Sequence, residues 1–169
     1  DFDGQLKLAV TGPWTLAASL GVAHTGRVLA DRGARRDVAQ SLAASAAELL
    51  ADVGRRLPRA TVILQIDEPA LPAVAAGAVP TPGGFFRHQA VDLPEIAAGL
   101  RGISTSARPH VDAVLMHSCA GWTGPGRGWP IEDLLSERGG GLDGVSLDID
   151  QLGAADLDAL GHAAEADAR

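Results

Sequence analysis

The sequence predicts an α/β fold of the (β/α)8 TIM-barrel type, with this chain covering about four βα units. Three observations carry that expectation. Short apolar, β-branched runs alternate with longer helical patterns four times, and no clear hairpin signal separates them, which argues for a parallel sheet. The strands end in polar groups, and in parallel α/β folds that edge carries the site. The length of 169 residues suits one domain with a sizeable core, whereas a full barrel takes about 250 residues. A doubly wound sheet is the other arrangement such units build.

Leu6 to Thr11 reads as a buried strand running into Gly12-Pro13-Trp14, where Pro13 cannot continue a ladder. Thr15 to Leu20 then starts a helix. From Asp37 to Val53 the residues Val38, Leu42, Ala46, Leu49 and Val53 recur at helical spacing and form one apolar face. Arg55, Arg56 and Arg59 near its end complement the helix dipole. Arg32, Arg35 and Arg36 precede that helix and oppose the dipole. Asp31 and Asp37 flank them, so a neutralised, solvated surface is expected there rather than an anion site.

Thr61 to Ile66 is a second buried strand, ending in Asp67-Glu68-Pro69. Two adjacent carboxylates are expensive to bury without partners, so they need a loop, a cation or a ligand, or one of them caps the helix expected near Pro69. Ala73 to Gly84 is rich in Ala, Gly and Pro and reads as a loop over the same end of the sheet, a lid or a plain connection. Asp92-Leu93-Pro94-Glu95 opens a helix whose buried face is Ile96, Ala97 and Leu100.

The third strand, Ala113 to Cys119, ends in His-x-Cys. Strand periodicity puts His117 and Cys119 on one face, and imidazole with thiolate is a soft metal grip. The simpler reading is a small buried thiol beside a satisfied histidine. Gly121 to Pro130 is too rich in Gly and Pro for regular structure. Trp122 and Trp129 make it a flap or pin it to the body. Pro130 to Glu137 forms a short helix that Gly139 to Gly141 ends. Val145 to Ile149 is a fourth strand with Asp148 and Asp150 on one face, and Leu152 to Ala168 closes as a helix with Leu157 and Leu160 inside.

A net charge of −7 and a pI near 5.1 exclude the basic face that nucleic acid or anionic membrane would need. No apolar run has the length of a membrane span. One cysteine excludes an internal disulfide and fits a reducing cytoplasm. The chain opens on Asp1 rather than Met, and a fragment of a longer protein is expected.

Thr11-Gly12-Pro13, the run Gln65-Ile66-Asp67-Glu68-Pro69-Ala70-Leu71, His117-x-Cys119, and Asp143-Gly144-Val145-Ser146-Leu147-Asp148 together resemble the catalytic barrel of cobalamin-independent methionine synthase over nearly the whole chain. The resemblance implies a (β/α)8 barrel, shared with the uroporphyrinogen decarboxylases, and zinc-dependent transfer of a methyl group to homocysteine or a similar thiol. By resemblance His117 and Cys119 are zinc ligands, Asp148 stands where the family has a Glu ligand, and Asp67, with Glu68 beside it, belongs to the substrate site, Asp67 holding the homocysteine ammonium. The family's later Cys ligand has no counterpart up to Arg169. Ser19 stands where the family has a folate-stacking Trp, so both methylfolate and methylcobalamin stay open as donors. The alternatives are a metal-free decarboxylase-like lyase, with Asp67 doing proton or electrostatic work and His117 and Cys119 as core residues, and a non-catalytic barrel remnant kept for binding.

Overall fold

The structure, a computed structural model, describes residues 2–22, 26–122 and 128–167. In chain order the elements are β1 (Gln5–Thr11), α1 (Pro13–Ser19), β2 (Gly21–Val22), β3 (Gly26–Arg27), α2 (Arg32–Arg56), β4 (Thr61–Asp67), α3 (Leu71–Ala75), α4 (Leu93–Ala107), β5 (Ala113–Ser118), α5 (Ile131–Leu135), β6 (Gly144–Leu147) and α6 (Ala154–Asp167). Short 3₁₀ turns precede α2, follow α4 and link β6 to α6.

The four expected strands pair in parallel, in the order β1-β4-β5-β6. The small antiparallel pair β2–β3 was not expected from the sequence; it is too short to show a period-2 pattern. In β4, Val62, Leu64 and Ile66 are buried while Ile63, Gln65 and Asp67 are half-buried, and β5 repeats this with Val114, Met116 and Ser118 inside. The run Thr61 to Ile66 is thus covered fully on one face only. That face packs against Trp14 of α1, Leu50 of α2, and Ile96, Leu100 and Ile103 of α4. Burial of each such aliphatic side chain contributes about 1.5–3 kcal/mol.

A repeated device sets the strand starts. Asp112 donates its N–H to Val62 O and accepts Val62 N–H on its carboxylate, at 2.8 and 2.7 Å. Asp143 does the same with Val114, at 2.8 and 2.6 Å. Each aspartate lies just before its strand and closes the ladder end of the preceding one, which pins the register at the start of the β4–β5 and β5–β6 pairs.

The long helix begins at Arg32, five residues earlier than Asp37, because Asp31 caps it by accepting Ala34 N–H at 2.7 Å. The three arginines therefore stand in its first turns. Arg35 pairs with Glu95 of α4 at 2.8 Å and donates to Leu29 O, Arg32 reaches Glu95 at 3.6 Å, and Arg36 lies 3.4 Å from Asp37. Their main partner is a carboxylate of the neighbouring helix rather than Asp31. Two apolar positions sit elsewhere than expected: Leu49 and Leu157 are exposed, and in α6 the residue turned fully inward is Asp156. The start of α4 at Leu93 with Asp92 as cap agrees with the sequence.

Candidate functional site

The parallel register lines up one residue from each strand near the carboxyl ends: Thr11 opposite Asp67, Asp67 opposite His117, and His117 opposite Ser146. Side chains of register partners in a parallel sheet share a face, and this face is the one the helices leave uncovered. Of the five polar groups predicted to collect at the strand ends, Asp67 and His117 sit in this row, Cys119 lies one step beyond it, and Glu68 and Asp148 lie outside it.

His117 and Cys119 face each other with Nε2 and Sγ 3.7 Å apart. On the other side of the ring Nδ1 lies 3.1 Å from Ser146 O and 3.2 Å from Ser146 Oγ. A carbonyl oxygen only accepts, so the bond to Ser146 O calls for the Nδ1–H tautomer, in which a neutral imidazole turns the Nε2 lone pair toward the sulfur. Two ligands of a tetrahedral zinc ion, at about 2.0 Å for nitrogen and about 2.3 Å for sulfur, stand about 3.5 Å apart. The pair fits zinc in donor type and spacing, and Ser146 supplies the outer hydrogen bond that metal-binding imidazoles use.

Asp148 does not join them. Its Oδ1 accepts Asp150 N–H at 3.1 Å and caps the 3₁₀ turn after β6. Among the described residues no group of three His, Cys, Asp or Glu side chains is gathered to hold a metal ion. Continuing the β5–β6 register by one residue would set Asp148 opposite Cys119, but both strands end before that step.

The two carboxylates after β4 separate. Asp67 is half-buried and points to the site face, where Oδ1 accepts from Gln65 Nε2 at 2.7 Å. Glu68 is fully buried on the other side of the chain. Its Oε1 accepts Trp14 N–H at 2.9 Å, and its Oε2 accepts Thr15 N–H at 2.8 Å and Thr15 Oγ1–H at 2.7 Å. It is a cap, but of α1 and not of the helix after Pro69; α3 starts at Leu71 with no side-chain cap. Burial pushes the Glu68 carboxyl up to about 7, against the pull of its three donors. Its N–H donates to His117 O at 2.7 Å, extending the ladder toward the site.

The loop after α3 carries an isolated bridge between Pro80 and Arg87, and Phe85 and Phe86 at its tip are exposed. Of the Gly121–Pro130 segment, residues 123–127 lie outside the described residues, and with them most of the flap reading. Trp129 is buried and its ring lies 5.2 Å from that of Trp122, the pinning arrangement at both ends of the segment. The residue that sequence reasoning missed here is Asp156, whose carboxylate accepts from Trp122 N, Trp129 N and Gly153 N. Away from the strand ends, a cavity of about 920 Å³ lies between α2 and α4, lined by Trp14, Arg32, Arg36 and Gly99 among others. It holds none of the row residues.

Comparison with models of known protein families, with curated proteins and with solved structures finds no match to this chain. No helix among the described residues is long and apolar enough to cross a membrane.

Proposed function

We propose that this chain is part of a zinc-dependent, methionine-synthase-like barrel that transfers a methyl group to a thiol such as homocysteine. The observation that carries the reading is the His117 Nε2 to Cys119 Sγ spacing of 3.7 Å, with Nδ1 held by Ser146. The barrel is supported by strands in sequential order with one packed face. A doubly wound sheet reverses its strand order and carries helices on both faces.

In this reading His117 and Cys119 would hold the zinc ion, and Asp148, which here caps the turn after β6, would be the third ligand that the resemblance implies. Bound zinc supplies the charge that keeps a coordinated thiol deprotonated at neutral pH, where a free thiol is mostly protonated. The chain's own work is positioning. Ser146 fixes the imidazole so that Nε2 faces outward, and Asp67, one strand over and on the same row, takes the ammonium group of the thiol substrate in a charge-assisted hydrogen bond. The methyl donor, methylfolate or methylcobalamin, brings the reactive carbon.

Metal analysis tests the reading. Stoichiometric zinc in the full-length protein that is lost in Cys119→Ala and reduced in Asp148→Ala is the expected result. Metal content unchanged in Cys119→Ala overturns the ligand assignment and leaves the metal-free lyase. Transfer of labelled methyl to homocysteine, tried with both carriers, separates an enzyme from a non-catalytic remnant.

A further inference from the structure

Asp67 does not stand alone on its face. Gln65, two residues earlier on β4, donates from Nε2 to Asp67 Oδ1 at 2.7 Å, and its Oε1 accepts from Lys7 Nζ on β1 at 3.0 Å. A primary amide can turn end for end, but here its polarity is forced. An ammonium group only donates and a carboxylate only accepts, so the amide oxygen must face Lys7 and the amide nitrogen must face Asp67. Among the described residues Oδ2 of Asp67 makes no hydrogen bond, so the relay occupies one oxygen and leaves the other for a ligand.

We propose that Lys7 and Gln65 are positioning residues that make Asp67 selective for a primary ammonium group, so that the site prefers an α-amino-acid thiol to the same thiol without its amino group. The inference rests on the reading of Asp67 given above and names the residues that enforce it. The torsion that turns a carboxylate about its last bond is broad and roughly two-fold, so a lone Asp67 would present its oxygens in many directions. Gln65 fixes that torsion. Lys7 fixes Gln65: without the ammonium the amide oxygen loses its partner, the side chain is free to swing out toward water, and the Asp67 torsion is released with it. Lys7 and Gln65 lie on adjacent strands, so the relay forms only when β1 and β4 are in register.

The test compares binding of homocysteine and 4-mercaptobutanoate, its counterpart lacking the amino group, to the zinc-loaded full-length protein by calorimetry. Wild type is expected to favour homocysteine. Lys7→Met and Gln65→Leu are expected to weaken homocysteine by about tenfold, the size of one charge-assisted hydrogen bond, and to leave 4-mercaptobutanoate unchanged. Lys7→Arg, which keeps a donor, restores most of the preference. Parallel loss for both thiols, or an unchanged ratio in both variants, overturns the relay while the Asp67 reading stands. A wild type that binds both thiols equally overturns Asp67 as ammonium partner and the relay with it. A readout that needs no thiol is the Gln65 side-chain amide pair in ¹⁵N NMR. Its shifts are expected to move toward those of a free glutamine amide in Lys7→Met, and an identical spectrum in the variant overturns the proposal.

Discussion

Glu68 and Thr15 meet in a double hydrogen bond: one carboxylate oxygen of Glu68 accepts both the backbone N–H and the hydroxyl of Thr15, at 2.8 and 2.7 Å. The first turn of α1 is capped by the strand beside it and not by its own N-cap residue, Gly12, which has no capping side chain. Thr11-Gly12-Pro13 and Asp67-Glu68-Pro69, separate motifs in the sequence, are therefore two halves of one joint. Gly12 N–H also donates to Asp67 O at 2.8 Å, so the joint ties the end of β1 to the end of β4.

That joint leaves no room at Gly12. A Cβ built there would lie 2.3 Å from Glu68 Oε1 and 2.5 Å from Glu68 Cγ. Because Glu68 is fully buried, the carboxylate must abandon its donors or the turn must shift. Gly12→Ala is expected to lower stability by about 2–3 kcal/mol, from overpacking and lost hydrogen bonds. Urea denaturation measures it. Gly102→Ala on α4, where an added Cβ meets nothing within 4 Å, is the control and is expected to gain up to about 1 kcal/mol.

Glu68 also predicts a pH dependence. Its ordinary value is 4.5 and burial raises it to about 7 in the folded protein. Between those values the folded chain holds a proton that the unfolded chain has released, so this group's contribution is fully present below pH 4.5 and is lost as pH rises through 7. The loss amounts to about 3 kcal/mol. Denaturant midpoints across pH 4.5 to 8 are expected to fall more steeply in wild type than in Glu68→Gln, which has no proton to release. Parallel curves would remove Glu68 as the source.

The sequence was informative where pattern and backbone chemistry coincide. Four strands, the start of α4 at Asp92 and the shared face of His117 and Cys119 follow from period and capping, which are local. The partner of Glu68 was not legible, because a carboxylate beside a proline reads as a cap for the next helix, whereas the parallel pairing of β1 with β4 presents it to α1, the helix that follows β1. The place of Asp148 is similar. Alternation puts it on the site face, but β6 ends at Leu147, and a short-range bond to Asp150 N–H competes with a longer reach across to Cys119. Asp156 was hidden for a third reason: its pattern position reads as a solvated helix residue, and its donors are backbone groups that sequence does not mark.

Asp156 yields the last expectation. It is only 5% exposed, and its two oxygens accept three backbone N–H groups: Trp122 at 3.2 Å, Trp129 at 3.1 Å and Gly153 at 2.9 Å. The Gly153 bond closes the start of α6, in the manner of a capping box. The tryptophan bonds hold both described ends of the segment that follows Cys119. Asp156→Asn keeps the size but replaces one acceptor oxygen by a donor, which must then face backbone N–H groups. A loss of about 2–4 kcal/mol is expected, from buried donors left without acceptors. Stability alone would not distinguish an anchor from ordinary packing, so the decisive measurement is hydrogen exchange. The amides of Trp122 and Trp129 are expected to lose protection in Asp156→Asn beyond the change in global stability, while those of Leu64 and Ile66 in β4 follow global unfolding. If Trp129 N–H stays as protected relative to β4 as in wild type, the carboxylate does not anchor the segment.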